Sequence, residues 1–305
     1  MSLSADIPNQ VSIVEVGPRD GLQNEKSPLT VSDKVMLINA LSATGLKRIE
    51  AGSFVSPKWV PQMANSDQVL DQIDRLQGVC YSALTPNMRG FEDALNAKTD
   101  EVAIFGAASE SFSQKNINCS IEQSMERFKP VAEAALSKDI PVRAYVSCVL
   151  GCPYEGDISA QAVLDVSLAL LDMGCYEVSL GDTIGVGTPL ETASLLSLLL
   201  SQIPAEKLAL HMHDTYGQSL ANILVGLQNG IATFDSSVSG LGGCPYAKGA
   251  SGNLASEDLL YMLDNMDIET GVDLTKLCLV GNDISRKLNR VNGSKAGMAT
   301  LSKLQ

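Results

Sequence analysis

Apolar and polar positions alternate in short runs along the chain, and eight of these runs read as β-strands: 11–16, 48–54, 79–85, 101–107, 142–148, 177–182, 208–214 and 233–239. Between them the period changes from two to that of a helix. After the seventh run, Leu220, Ile223, Leu224 and Leu227 fall at i, i+3, i+4 and i+7, which predicts a helix with one apolar face. Thr85-Pro86-Asn87, and Ser120 ahead of Glu122 and Gln123, carry turn and capping chemistry before two further helices. A strand every roughly 25 to 40 residues, each followed by a helix, predicts an α/β fold of the (β/α)8 TIM barrel type. A doubly wound sheet is the rival, but no Gly-rich fingerprint follows the first run. We expect one catalytic domain over residues 1–305, with the barrel at about 11–266 and additional C-terminal helices at about 267–305, packed on the barrel or on a partner subunit.

Composition narrows the function classes. A net charge of −13 disfavours nucleic acid, whose phosphates call for clustered Lys and Arg. It leaves room for an anionic small substrate, which answers to a few local cations. The first residues have neither a basic n-region with an apolar stretch nor Arg-rich amphipathic character, so no leader is expected. The longest uncharged run, 215–234, is interrupted by Gln, Asn and Gly and reads as a buried helix and its loop, so no membrane partner is expected. Seven scattered cysteines without a CxxC pair read as reduced thiols in a cytoplasmic protein.

Three segments carry candidate chemistry, all at the C-terminal ends of predicted strands, where barrel enzymes work. The chain has two histidines, His211 and His213, on one face of the seventh strand. Leu208, Leu210 and Met212 take the other face and suit the helix-facing exterior, which leaves both imidazoles inside. They are either a metal-ligand pair or core histidines bonded to backbone; the absence of any other His favours ligands. Directly after the first strand comes Gly17-Pro18-Arg19-Asp20-Gly21-Leu22-Gln23-Asn24-Glu25, where Asp20 can supply an oxygen ligand and Arg19 a fixed cation. A surface Arg–Asp pair on a polar turn fits the spacing equally. Two imidazoles with oxygen ligands suit Mg2+ or Mn2+ and also accept Zn2+.

The third segment, 240–253, follows the eighth strand and holds five glycines, which make it mobile and let backbone approach a ligand. Cys244 lies in its middle and is a candidate acid or base. Asn253 reads as an N-cap or as a neutral oxygen ligand. Glu50 in the second strand and Asp182 at the end of the sixth are either second-sphere groups or loop-capping acids.

Together these segments resemble the 3-hydroxy-3-methylglutaryl-CoA lyases of bacterial type, within the TIM-barrel metallolyase superfamily. The likeness runs through 14–25, 53–61, 104–110, 115–120, 145–148, 151–156, 180–189 and 214–218. Its most diagnostic piece is Gly240-Leu241-Gly242-Gly243-Cys244-Pro245-Tyr246. The resemblance implies metal-dependent retro-Claisen cleavage of 3-hydroxy-3-methylglutaryl-CoA to acetyl-CoA and acetoacetate, a step of leucine degradation and ketone-body formation. It implies Asp20, His211, His213 and Asn253 as metal ligands, Arg19 beside the thioester carbonyl and Cys244 as the mobile catalytic thiol. Asp20 and His211 join Arg19 and Cys244 in the catalytic set, with Gln23, Glu50 and Asp182 in support and Lys26 as a contact to CoA. The expected partners are an acyl-CoA substrate and a second copy of the chain, in a homo-oligomer that is a dimer.

Three departures bear on this. Ser239 stands where these lyases usually have Ala, and Gly52 where a hydroxyl residue is common, which is expected to widen the pocket there. The chain ends without the C-terminal cysteine of mitochondrial relatives, so thiol regulation there is not expected. Two rival activities use the same signatures: a lyase for a longer 3-hydroxy-3-alkylglutaryl-CoA and a Claisen-condensing metalloenzyme.

Overall fold

The structure is a computed structural model that describes residues 7–243 and 252–303. Eight parallel strands close into a barrel in sequence order: β1 Ser12–Glu15, β2 Arg48–Ser53, β3 Cys80–Leu84, β4 Glu101–Ala107, β5 Val142–Ser147, β6 Glu177–Asp182, β7 Leu208–Met212 and β8 Thr233–Ser236. The barrel shuts where Ser12 to Glu15 pair with Thr233 to Ser236. All eight predicted runs form strands: two match their bounds, four are a residue shorter at one or both ends, and β7 and β8 stop two and three residues early.

Alternation does its work on the outer face. Leu208, Leu210 and Met212 are buried against the helices. Helix Ser219–Gln228 lies so close to β7 that a Cβ on Gly226 would come within 2.4 Å of Leu210. Its inward side is built from Asn222, Ile223, Gly226 and Leu227, with Leu220 and Leu224 only half-buried at the flank. Asn87 caps helix Met88–Asn96, and Ser120 with Gln123 forms a reciprocal capping box at Ile121–Leu136.

The interior is unlike the usual apolar stack of branched side chains. A ladder of charges fills it: Arg48 pairs with Glu177 at 2.9 Å, Glu177 with Arg143 at 2.6 Å and Arg143 with Asp235 at 2.7 Å. These groups are nearly sealed from water, so each charge is held by its partner; breaking one such pair costs about 3–5 kcal/mol.

Between Glu50 and Gly52 the β2–β3 register slips by one residue. Glu50, two residues after the inward Arg48, points into the barrel by alternation, while a Cβ on Gly52 would meet Ser66 Cβ and Oγ at 2.9 Å in the outer wall. The expected widening of the pocket at Gly52 is thus not found, because the bulge turns that position away from the interior.

Beyond the barrel, helices Leu274–Lys287 and Lys295–Ser302 pack back onto it. Lys287 pairs with Asp33, and Ser285 bonds Ser239, a non-glycine residue at φ 58° just before Gly240. The hydroxyl at this departure from the usual Ala thus ties the C-terminal helices to the segment that follows β8. Among the described residues no helix is long and apolar enough to cross a membrane.

Candidate metal centre

β1 ends in a single turn, Gly17–Gly21, whose Gly21 N–H reaches back to the Val16 carbonyl at 3.1 Å, the i to i+5 spacing of a π-turn. Only glycine fits at its two ends. A Cβ on Gly17 would lie 2.5 Å from Glu15 Oε1, and one on Gly21 2.6 Å from Ser237 Oγ. The turn aims Arg19 and Asp20 at the barrel mouth. Arg19 Nε donates to Glu50 Oε2 at 2.6 Å and its Nη1 to Asp20 Oδ1 at 2.7 Å. The guanidinium also lies 5.3 Å from the ring centroid of Tyr145, whose other neighbour is Arg143 at 5.0 Å. Burial alone would depress the Arg19 pKa, but Glu50 and Asp20 reverse this and hold it above the ordinary arginine value.

His211 stands on β7, and His213 lies just past its end. There the chain segment from Gly252 to Leu254 runs alongside: Asp214 N–H donates to Gly252 O at 2.9 Å and Leu254 N–H to Met212 O at 3.1 Å. This pairing sets Asn253 opposite His213. Asn253 is not a helix cap, since the next helix begins at Ser256 with Ala255 as its cap. Its Nδ2 donates instead to Asp20 Oδ2 at 2.8 Å and to Leu241 O at 3.2 Å.

The two Nε2 atoms face each other at 3.3 Å, with Asp20 Oδ2 3.8 Å from that of His211. A 3.3 Å separation suits adjacent ligands on one cation at about 2.1 Å from each. Donor chemistry agrees. His211 Nδ1 bonds Asp235 Oδ2 at 3.2 Å, which fixes the proton there and turns the Nε2 lone pair into the site. His213 Nδ1 is buried without a hydrogen-bond partner among the described residues. Burial and the neighbouring imidazole push the His213 pKa down to about 4, so it is neutral near pH 7. Burial works to raise the Asp20 pKa, but Arg19, both histidines and Asn253 bring it down to about 2, leaving a carboxylate. Asp20, His211 and His213 thus form a set that can hold a metal ion.

The remaining expected residues fall elsewhere. Asp182 accepts the Val186 and Gly187 amides at 3.2 and 2.9 Å and so shapes the turn after β6. Gln23 and Lys26 line a cleft beside the π-turn with Thr30, Lys34 and Gln62. Cys244 lies outside the described residues.

Residues 10–284 match the HMGL-like family model. The chain belongs to the HMGL-like family. It is 59% identical over 298 residues to the 3-hydroxy-3-isohexenylglutaryl-CoA/hydroxy-methylglutaryl-CoA lyase of Pseudomonas aeruginosa, covering 98% of this chain and 99% of that protein. It is 59% identical over 292 residues to the mitochondrial hydroxymethylglutaryl-CoA lyase of Gallus gallus, covering 96% and 98% of the two. The crystal structure of hydroxymethylglutaryl-CoA lyase from P. aeruginosa superposes with a TM-score of 0.96, over 98% of this chain and all of that one, at 59% identity.

In this HMGL-like chain the residues missed by sequence reasoning are Asp235, Arg143 and Tyr145. Asp235 also accepts from Ser179 Oγ at 2.7 Å, and Arg143 and His211 hold its pKa below the usual carboxylate range against the effect of burial. Asp235→Asn leaves Arg143 its bond to Glu177 but weakens the grip on His211. Mn2+ affinity, titrated into metal-stripped protein, is expected to fall roughly 10- to 100-fold. An affinity equal to that of the unaltered protein would show that Asp235 does not orient the ligand.

Proposed function

We propose that this HMGL-like protein is a carbon–carbon lyase that cleaves 3-hydroxy-3-methylglutaryl-CoA to acetyl-CoA and acetoacetate. The observation that carries this reading is the convergence of Asp20, His211 and His213 beside a buried Arg19, in a chain 59% identical to lyases named for that substrate.

Asp20, His211, His213 and Asn253 would hold the cation, Asn253 through its amide oxygen. A bound divalent cation, Mg2+ or Mn2+ with Zn2+ as the alternative, lowers the substrate hydroxyl's pKa and fixes its orientation. Cleavage breaks the bond between C3 and the carbon next to the thioester carbonyl. The hydroxyl proton passes to a base of the site, Asp20 or His211, its oxygen becomes the ketone of acetoacetate, and the bonding pair passes to acetyl-CoA as an enolate. Arg19, fixed by Glu50, donates to the thioester oxygen where that charge collects. Cys244 returns a proton to the enolate carbon, so no further reactant is needed. Gln23 and Asp182 support the loops around the site, and Lys26 contacts CoA at the cleft it lines.

The seven scattered thiols support a cytoplasmic setting. Exposed Leu279, Val291 and Met298 on and beside the C-terminal helices support a homo-oligomer, which we assign as a dimer.

Acetoacetate release from 3-hydroxy-3-methylglutaryl-CoA, with Mg2+ and with EDTA, tests the proposal. Turnover with Mg2+ that EDTA abolishes is the expected result; no product with any of the three cations overturns it. A longer 3-alkyl substrate is the second reading, favoured by the isohexenyl substrate in the name of the P. aeruginosa relative. The ratio of kcat/KM for the two substrates decides between them.

A further inference from the structure

Glu15 points outward from β1 and is completely buried, and no basic side chain pairs with it among the described residues. Burial pushes its pKa up to about 7. An unpaired buried carboxyl is an expensive group to keep, and its three bonds indicate its use. Oε1 accepts the Gly17 amide at 2.8 Å and the Val238 amide at 2.8 Å. Oε2 accepts from Ser256 Oγ at 2.6 Å, which in turn meets Ser236 Oγ at 2.8 Å. Each donor belongs to a different segment of the site. Gly17 opens the turn that carries Arg19 and Asp20. Val238 follows the exit of β8, whose Asp235 holds His211. Ser256 starts the helix that follows Asn253. The close approach is also why Gly17 tolerates no Cβ.

We infer that Glu15 is a positioning residue that sets the Arg19–Asp20 turn, the β8 exit and the Asn253 segment in register with one another. It touches neither the cation site nor the substrate and acts through the three segments it joins. Geometry rather than charge is what it supplies. A glutamine keeps Oε1 for both amides and donates Nε2–H to Ser256, whose own proton turns to Ser236. An aspartate keeps the charge but draws the acceptors back by roughly 1.5 Å.

The inference rests on the proposed lyase activity, and the test separates the two. Glu15→Gln is expected to turn over within about threefold of the unaltered protein, while Glu15→Asp loses about 100-fold in kcat with KM within about threefold. Ser256→Ala, which removes one bond of the three, serves as the milder variant, with a loss of about three- to tenfold in kcat at unchanged KM. Hydrogen exchange at the Gly17 and Val238 amides should quicken in Glu15→Asp and stay slow in Glu15→Gln. Normal kcat in both Glu15→Asp and Ser256→Ala overturns the inference, as does a Glu15→Gln as impaired as Glu15→Asp. If the unaltered protein releases no acetoacetate, the lyase reading fails, and the amide exchange still decides whether Glu15 holds the segments.

Discussion

His213→Ala should lose Mn2+ affinity by more than about 100-fold, and turnover with it, because the loss of a ligand outweighs the 10- to 100-fold typical of an outer-sphere partner. The imidazole is neutral and buried, with its Nε2 3.3 Å from that of His211. Among the described residues nothing nearby replaces that lone pair, since Asp20, His211 and Asn253 are already counted as ligands. The ring leaves behind a small polar space, and no buried charge loses its partner, so the fold should survive. Titration of Mn2+ into stripped protein, followed by the paramagnetic signal of the free ion, reads the affinity directly. An unchanged dissociation constant would remove His213 from the ligand set, whatever happened to turnover.

The barrel and much of this site are legible in the sequence because both rest on local pattern. Period-two runs separated by helical periods define the eight βα units, and the i, i+2 spacing puts one imidazole on β7 and the other just past its end. The β2 bulge is not legible. Nothing in Glu50-Ala51-Gly52-Ser53 announces that one register step turns Gly52 from the pocket to Ser66. Asp235 does leave a signal: a lone acid at an inward position of an otherwise uncharged strand. Arg48, Arg143 and Glu177 likewise place charges at inward strand positions, and inside the closed sheet these charges meet one another. Alternation alone cannot pair them all, because two of the three ion pairs cross the barrel: Arg48 on β2 reaches Glu177 on β6, and Arg143 on β5 reaches Asp235 on β8. Glu15 is hidden for a related reason. It lies on the helix-facing side of β1, where two of its three donors arrive from residues more than 220 positions away.

Arg19→Met should reduce kcat by about 1,000-fold with KM changed only a few-fold, the size of effect expected when a donor aimed at a developing oxyanion is lost. Arg19 is charged under all working conditions and is gripped from two sides by Glu50 and Asp20. Its removal has a second consequence that must be kept apart from the chemistry. Glu50 is fully buried, its Oε1 has no hydrogen-bond partner among the described residues, and without Arg19 it becomes an uncompensated charge costing about 3–5 kcal/mol. Burial already raises its pKa with Arg19 present, so Glu50 should then take up a proton and relieve part of that cost. The double variant Arg19→Met/Glu50→Gln removes the charge along with its partner and should regain most of the lost stability in a thermal melt. Turnover should stay low in the double variant, because neither substitution restores a cation at the thioester oxygen. If turnover returns together with stability, Arg19 is a structural counter-ion to Glu50 and the enolate must be stabilised by another group.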